Sequence, residues 1–257
     1  MRLALCQISA SADPAANLDL IRVGVAESEG AAVVLFPEAT MCRFGVPLGP
    51  VAEPLDGPWA TAVREIADAA GVVIVAGMFT PADDGRVRNT LLVTGRGHHT
   101  GYDKIHLFDA FGFKESKTVA PGERPVVFTV DEVTLGVATC YDVRFPELFR
   151  RLADDGARAI LVGASWGAGE GKREQWELLV RARALDSTSW VVACGQADPG
   201  PTTDTAPLGI GHSLVADPQG RVAGALGAKP EILIVDIDPD LADTTRKTIP
   251  VLANRRL

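Results

Sequence analysis

The sequence predicts a single α/β domain with mixed sheets, spanning residues 1–257. Three observations support this prediction. Short apolar runs rich in β-branched residues alternate with segments of helical periodicity along the whole chain. The composition, 47% hydrophobic and 23% charged, is typical of a compact globular enzyme. No linker, low-complexity segment or internal repeat divides the 257 residues.

The first half of the chain begins with a buried strand at residues 2–8. A helix follows, because Asp13 and Pro14 form an N-cap with proline at the first helical position, and its apolar stripe ends near Gly30. Proline closes the next apolar run, VVLFP, and a helix with one apolar side spans residues 59–70. The strands predicted in this half span residues 2–8, 33–37, 72–79, 89–95 and 99–108.

The second half opens with an irregular excursion at residues 109–125, which is long enough to suggest a functional loop. A hairpin then leads to Cys140, and a helix with apolar residues at helical spacing runs from there to near Gly156. A long helix spans residues 172–188, between the Gly-rich loop 164–172 and the loop 197–207. The remaining predicted strands span 125–130, 133–139, 158–163 and 190–195, the hairpin 210–222, and 231–238, with a short helix after the last.

Charge and cysteine content exclude several classes of protein. The net charge is −8, with 25 basic against 33 acidic residues and no Lys/Arg block, so the sequence predicts no nucleic-acid partner. No apolar stretch approaches the roughly 20 residues that span a bilayer, and the N-terminal run is too short for a signal peptide. Four dispersed cysteines with no zinc-type spacing predict free thiols, no metal and a cytoplasmic protein.

Three polar residues stand at or near the ends of apolar strands, where α/β enzymes place their chemistry. They are Glu38, Lys104 and Cys140. Each has a plain structural alternative: a solvated loop glutamate, a lysine whose ammonium reaches solvent, and a cysteine buried for packing. A cysteine paired with one of the four histidines is also open at this level, since catalytic partners meet only in space.

Several motifs, in order along the chain, resemble the nitrilase superfamily of carbon–nitrogen hydrolases. They are FPE (36–38), YDKIHLF (102–108), CYDVRFPE (140–147) and GHSLVADPQG (211–220). Within that superfamily, ESKTVAPG (115–122) and QWELLVRARALD (175–186) are most similar to the amidase branch of omega-amidases and deaminated-glutathione amidases. The resemblance runs nearly from end to end.

The resemblance implies a four-layer α-β-β-α sandwich that forms a homodimer through helices. It also implies a small-molecule amide substrate, with no cofactor. Carried over by motif, Cys140 is the nucleophile, Glu38 the general base, Lys104 the oxyanion stabiliser and Glu115 a second carboxylate that positions the reacting groups. The backbone N–H of Tyr141 is the expected second oxyanion donor.

The sequence leaves the substrate more open than the chemistry. Trp166 is a candidate for the pocket wall. Arg144 is either a carboxylate-binding residue or, more in keeping with its neighbours, a structural partner of Asp142 or Glu147. An anionic substrate would need local donors such as Arg43, Lys114, Arg144 or Arg173, because an acidic protein provides little long-range attraction for anions. A nitrilase, an N-carbamoyl amide hydrolase and a catalytically idle interaction protein of this fold are the alternatives.

Overall fold

Two six-stranded sheets form the centre of the molecule in the computed structural model, which describes residues 1–202 and 206–256. The strands are β1 (Arg2–Gln7), β2 (Val33–Leu35), β3 (Val73–Pro81), β4 (Val87–Gly95), β5 (His98–Asp103), β6 (Val127–Val130), β7 (Val133–Thr139), β8 (Ala159–Ala164), β9 (Trp190–Gly195), β10 (Leu214–Ala216), β11 (Val222–Ala225) and β12 (Glu231–Asp236). The helices are α1 (Pro14–Ala26), α2 (Pro58–Ala70), α3 (Pro146–Asp154), α4 (Lys172–Ser187) and α5 (Asp240–Thr248).

Both sheets are mixed, as the sequence predicts. The first has the strand order β12-β1-β2-β3-β4-β5 and the second β11-β10-β9-β8-β7-β6. In the first sheet β1, β2 and β3 are parallel, and in the second β7, β8 and β9 are parallel, while the outer strands pair antiparallel. Each sheet therefore has a parallel centre whose carboxyl ends can carry a site.

The central strands β1, β2 and β3 of the first sheet are largely apolar, and both of their faces are covered. In β1, Leu3 and Leu5 belong to the core between the sheets, whereas Ala4 and Cys6 pack in a second core with α1 and α2. This division follows the period-2 alternation of strand side chains. On the other side, α3 and α4 contribute residues such as Phe149 to the central core. The order of layers is therefore helix, sheet, sheet, helix, which confirms the predicted four-layer sandwich.

The largest departures from the predicted strand boundaries are in the strand over 99–108 and in the hairpin over 210–222. The strand predicted over 99–108 ends at Asp103, so Lys104 lies one residue beyond it. The hairpin predicted over 210–222 begins later and ends later, with strands β10 and β11 and a turn closed by a hydrogen bond from the Gly220 N–H to the Asp217 carbonyl. Residues 203–205 of the predicted loop 197–207, and residue 257, lie outside the described residues.

None of the helices in the described part of the chain combines the length and apolar character needed to cross a lipid bilayer. All four cysteines are free thiols. Among the described residues, no group of three or more histidine, cysteine or acidic side chains is arranged to hold a metal ion.

Candidate active site

Glu38 lies three residues beyond the end of β2, in a turn held against β3. The Pro37 carbonyl accepts a hydrogen bond from the Gly77 N–H at 3.0 Å, and the Met41 N–H donates to the Gly77 carbonyl at 2.8 Å. Gly77 is required for this approach, because a Cβ there would lie 2.3 Å from the Ala39 nitrogen. The sequence thus places a fully buried carboxylate at the edge of the first sheet.

Lys104 connects Glu38 to a second buried carboxylate. Its ammonium donates to Glu38 Oε1 at 2.9 Å and to Glu115 Oε2 at 2.9 Å. Asn89, on β4, donates to Glu38 Oε1 at 2.7 Å and to Glu115 Oε1 at 3.1 Å. All four side chains are at most 3% exposed. An isolated buried charge is very costly, so this mutual pairing is what permits the cluster in the interior.

Further backbone groups orient the two carboxylates. The Ser165 N–H, just past β8, donates to Glu38 Oε2 at 2.7 Å, and the Phe108 N–H donates to Glu115 Oε2 at 2.6 Å. Burial alone lowers the pKa of Lys104, but the carboxylates of Glu115 and Glu38 outweigh it, and the pKa is raised well above its ordinary value. Lys104 is therefore a permanent ammonium.

Cys140 stands where β7 meets a short 3₁₀ helix, Cys140–Arg144, which precedes α3. Its φ of 45° lies in the left-handed region, an uncommon conformation for a non-glycine residue that is concentrated at functional sites. The side chain of Asp142 supports this turn, accepting from the Thr139 N–H at 2.8 Å and from the Tyr102 hydroxyl at 2.7 Å. This is the predicted strand, sharp turn and helix.

The thiol of Cys140 is protonated in the ligand-free site. Burial raises its pKa well above the ordinary value, and the Glu38 carboxylate raises it further, while the Lys104 ammonium opposes both effects. A base must therefore take this proton before the sulfur can act as a nucleophile. Of the two cavity carboxylates, Glu38 has the larger effect on the pKa of the Cys140 thiol.

One cavity of about 390 Å³ joins these groups. Glu38, Lys104, Glu115 and Cys140 line its floor, although they are distant in sequence. The rest of the described wall is mostly aromatic or apolar and is formed by Phe44, Phe108, Phe113, Tyr141, Ser165, Trp166, Gly167, Lys172 and Pro207. The arrangement suits covalent catalysis on a small carbonyl compound.

Trp166, the predicted candidate for the pocket wall, and Tyr141 both line this cavity. Tyr141 is the second residue of the 3₁₀ helix, where backbone N–H groups have no partner within the helix. The Trp166 indole N–H donates to the Lys172 carbonyl at 2.9 Å and is thereby held against the start of α4.

Arg144 does not form the ion pair with Asp142 or Glu147 that its neighbours suggested. Its guanidinium donates instead to the neutral Gln175 Oε1 at 2.7 Å and lies 5.0 Å from the ring centre of Trp166. The predicted pairing of Arg144 with Asp142 or Glu147 is therefore wrong. The Asp142 carboxylate already accepts hydrogen bonds from Thr139 and Tyr102, and Gln175 of α4 is the partner of Arg144 instead.

The other three cationic candidates lie apart from the described cavity wall. Arg173 is on the outside of α4, paired with Glu177 at 2.8 Å, and Lys114 is exposed. The Arg43 guanidinium donates to the carbonyl of Phe44. A cation that sequence reasoning missed, Lys172, does line the cavity. Its only sequence signal is its position directly after the Gly-rich loop.

Comparison with known proteins agrees with this architecture. A family model described as carbon–nitrogen hydrolase matches residues 2–247. A Mycobacterium tuberculosis protein described as a hydrolase is 55% identical over 99% of this chain and 95% of its own length. An omega-amidase from Mus musculus is 32% identical over 99% of this chain and 95% of its own.

Two further similarities bear on the site. A deaminated glutathione amidase from Escherichia coli O157:H7 is 32% identical over 80% of this chain and 76% of its own length. A Nesterenkonia amidase variant superposes with a TM-score of 0.80 and 29% identity, covering 97% of this chain and 98% of that one. That structure is described as carrying acrylamide added to its active-site cysteine.

Proposed function

Because this chain belongs to the carbon–nitrogen hydrolase family, we propose that it releases ammonia from a small carboxylate-bearing amide through a thioester on Cys140. The observation that carries the proposal is the single cavity in which a protonated thiol faces a buried carboxylate–ammonium–carboxylate cluster. These are the groups that nucleophilic acyl transfer requires: a nucleophile, a base and a fixed positive charge.

In the first half-reaction Glu38 takes the Cys140 proton as the sulfur attacks the amide carbonyl. The oxyanion that forms is stabilised by the Lys104 ammonium and by the backbone N–H of Tyr141. Glu38 then gives the proton to the leaving nitrogen, the C–N bond breaks, and ammonia departs. An acyl thioester on Cys140 remains.

In the second half-reaction Glu38 takes a proton from water, and the resulting hydroxide attacks the thioester carbonyl. Collapse of this intermediate breaks the C–S bond, and the thiolate recovers the proton from Glu38. Glu115 has a positioning role, since it accepts from Lys104 and from Asn89 and so fixes the ammonium on its side of the cavity. Lys104 keeps its charge throughout because its pKa is raised.

The substrate class is supported by two similarities and by local charge. Relatives described as omega-amidase and deaminated glutathione amidase are each 32% identical to this chain. Beside the cavity, the Arg144 guanidinium has a neutral amide rather than a carboxylate as its hydrogen-bond partner. Trp166 and Tyr141 supply apolar wall against which an aliphatic chain can pack.

A substrate panel tests the proposal. Ammonia release is measured for a keto-acid amide, deaminated glutathione, a neutral aliphatic amide, an N-carbamoyl acid and a nitrile. We expect one of the first two to be hydrolysed with a much higher kcat/KM than the neutral amide. Faster turnover of the nitrile or the carbamoyl compound would assign the chain to another branch of the superfamily. Turnover of none, with Cys140 inert to alkylation, would favour the idle interaction protein.

The nucleophile is tested by Cys140→Ala, which should abolish ammonia release while thermal unfolding stays close to that of the wild type. Cys42→Ala is the matched control, because Cys42 is also buried but its sulfur donates to the Ala12 carbonyl rather than lining the cavity. An equal loss of activity in the control would contradict the assignment of Cys140.

The proposal extends to a cytoplasmic homodimer. The free state of all four cysteines supports a reducing compartment. Large apolar side chains exposed on the outer face of α4 support association through helices.

A further inference from the structure

Lys172 is a buried cation without an anionic partner. It is the first residue of α4, is 9% exposed, and lines the same cavity as Cys140. Within residues 1–202 and 206–256, its ammonium makes no hydrogen bond or ion pair; its hydrogen bonds come from the backbone, where the N–H donates to the Gly169 carbonyl and the carbonyl accepts from the Trp166 indole. Lysine is almost never buried to this extent unless it is paired.

Aromatic rings surround this ammonium in place of carboxylates. Its nitrogen lies 4.1 Å from the ring centre of Phe111, 5.2 Å from that of Trp166 and 5.3 Å from that of Phe108. Ring faces attract a cation at these distances. They accept no conventional N–H···O bond, however, so the ammonium keeps its donors for a group that enters the cavity.

The electrostatic surroundings of Lys172 are unfavourable without a ligand. Burial lowers its pKa, and the positive charge of Arg144 lowers it further. The position at the start of α4 adds the positive end of the helix dipole. The cavity carboxylates do not compensate, since Glu38 and Glu115 are both bound to Lys104.

Arg144, like Lys172, has no negatively charged partner among the described residues. Its guanidinium lies 5.0 Å from the Trp166 ring centre, its partner Gln175 is neutral, and its buried Nε has no hydrogen-bond partner among the described residues. Two cations thus contact the same indole ring, with no carboxylate paired to either in the described part of the chain. An anion bound between the Trp166 ring and the cavity would give both cations a negatively charged partner.

We infer that Lys172 binds the carboxylate of the substrate and so determines the preference of this enzyme for anionic over neutral amides. The inference rests on the proposed function, in which the same substrate presents its amide carbonyl to Cys140. The ligand class is an aliphatic dicarboxylic acid in which one carboxyl group is an amide. Its free carboxylate accepts from the Lys172 ammonium, and its methylene chain lies against the aromatic wall.

The test compares glutaramate with pentanamide, two amides of equal chain length of which only the first carries a carboxylate. In Lys172→Met the ammonium is removed, an unbranched apolar side chain remains, and the backbone carbonyl can still accept from the Trp166 indole. We expect the ratio of kcat/KM for glutaramate to that for pentanamide to fall roughly ten- to hundred-fold, mainly through KM, the usual loss for one charge-assisted contact. Lys172→Arg, which keeps the charge, should recover part of the ratio.

Arg173→Met is the matched control. It removes a cation from the adjacent position, but Arg173 is paired with Glu177 on the outside of α4, so the ratio should stay at the wild-type value. An equal loss of kcat/KM for both amides in Lys172→Met would show that Lys172 has a structural role and would overturn the inference.

A second measurement does not depend on turnover. Glutarate should protect wild-type Cys140 from iodoacetamide, and should protect it much less in Lys172→Met. If neither amide is hydrolysed, but glutarate protects Cys140 in the wild type and not in Lys172→Met, the proposed reaction fails and the role of Lys172 stands. If glutaramate is hydrolysed while ratio and protection are unchanged by Lys172→Met, the role of Lys172 fails and the reaction stands.

Discussion

At the scale of single residues, Glu38 has two opposing effects on Cys140 in the proposed reaction: it accepts the proton of the thiol, and its negative charge also disfavours ionisation of that thiol. The Glu38 carboxylate and burial both raise the pKa of Cys140, so the free enzyme holds little thiolate at neutral pH. Alkylation of the thiol is therefore slow at neutral pH rather than absent, and it becomes faster as the pH rises. In the proposed reaction the Lys104 ammonium and the Tyr141 N–H stabilise the charge that develops on the substrate when the sulfur attacks.

The variant Glu38→Gln should therefore change turnover and thiol reactivity in opposite directions. Hydrolysis should fall by roughly 10²–10⁴-fold, because the proton acceptor is lost. Removing a negative charge lowers the pKa of Cys140, so more thiolate is present at a given pH and alkylation by iodoacetamide should become faster at pH 8. The pH dependence of Cys140 alkylation, followed by mass spectrometry, gives the pKa of this thiol in the wild type and in Glu38→Gln.

The control for this prediction is Glu147→Gln, which removes an exposed carboxylate from α3 and should leave both activity and alkylation unchanged. If the alkylation curve of Glu38→Gln coincides with that of the wild type, Glu38 does not control the ionisation of Cys140.

At the scale of secondary-structure elements, the position of Glu38 depends on how closely its turn packs on β3. A side chain at Gly77 would lie 2.3 Å from the Ala39 nitrogen and 2.7 Å from the Glu38 carbonyl carbon. Both are backbone atoms, so the turn itself would have to move. The Gln196 side chain, just past β9 of the other sheet, donates to the Glu38 carbonyl at 3.0 Å, so the turn is held from both sheets.

We predict that Gly77→Ala displaces Glu38 and lowers kcat by at least about ten-fold, with a loss of stability of roughly 1–3 kcal/mol from overpacking. Chemical denaturation and steady-state kinetics measure the two effects separately. Gly49→Ala is the control, because no atom lies within 4 Å of the position of its Cβ. Wild-type kcat in Gly77→Ala would mean that the Glu38 turn tolerates displacement.

At the scale of the whole molecule, α4 exposes two leucine side chains on its outer face. Trp176, Val180 and Ala184 face the central core, while Leu178 and Leu185, on the opposite face, are 67% and 47% exposed. A second copy of the chain covering this face would bury both leucines.

We therefore expect a homodimer by light scattering, and a shift to monomer in Leu178→Asp, because a charge at the centre of an apolar contact is not solvated. Val23→Asp is the control, since Val23 is similarly exposed, at 53%, but lies on α1 in the opposite helical layer. A dimer that withstands Leu178→Asp must use another surface, and a monomeric wild type would refute the association altogether.

Local patterns predicted much of this fold. The apolar runs and helical stripes predicted the parallel strands and the α-helices of the described residues. The spacing of apolar residues indicates whether both faces of a strand or one face of a helix are buried. The polar residues at the ends of those runs, Glu38 and Cys140, were recognisable for the same reason. Their motifs indicated the family.

Where the local pattern failed, a distant residue determined the structure. The apolar pattern continues to Phe108, but β5 ends at Asp103 because the His106 N–H and ring bond Asp142 Oδ1, which draws the chain away from the sheet. Arg144 likewise bonds Gln175, 31 residues away, rather than its acidic neighbours.

The amino-acid sequence therefore predicted the four layers, through the family resemblance, and four of the groups that line the cavity, Glu38, Lys104, Glu115 and Cys140, but not Lys172. Only the tertiary structure decided how their charges are balanced. Glu38 and Glu115, from separate segments, share the single Lys104 ammonium, whereas Lys172 has no anionic partner among the described residues. Pairing energies depend on distance and burial, which no spacing along the chain specifies.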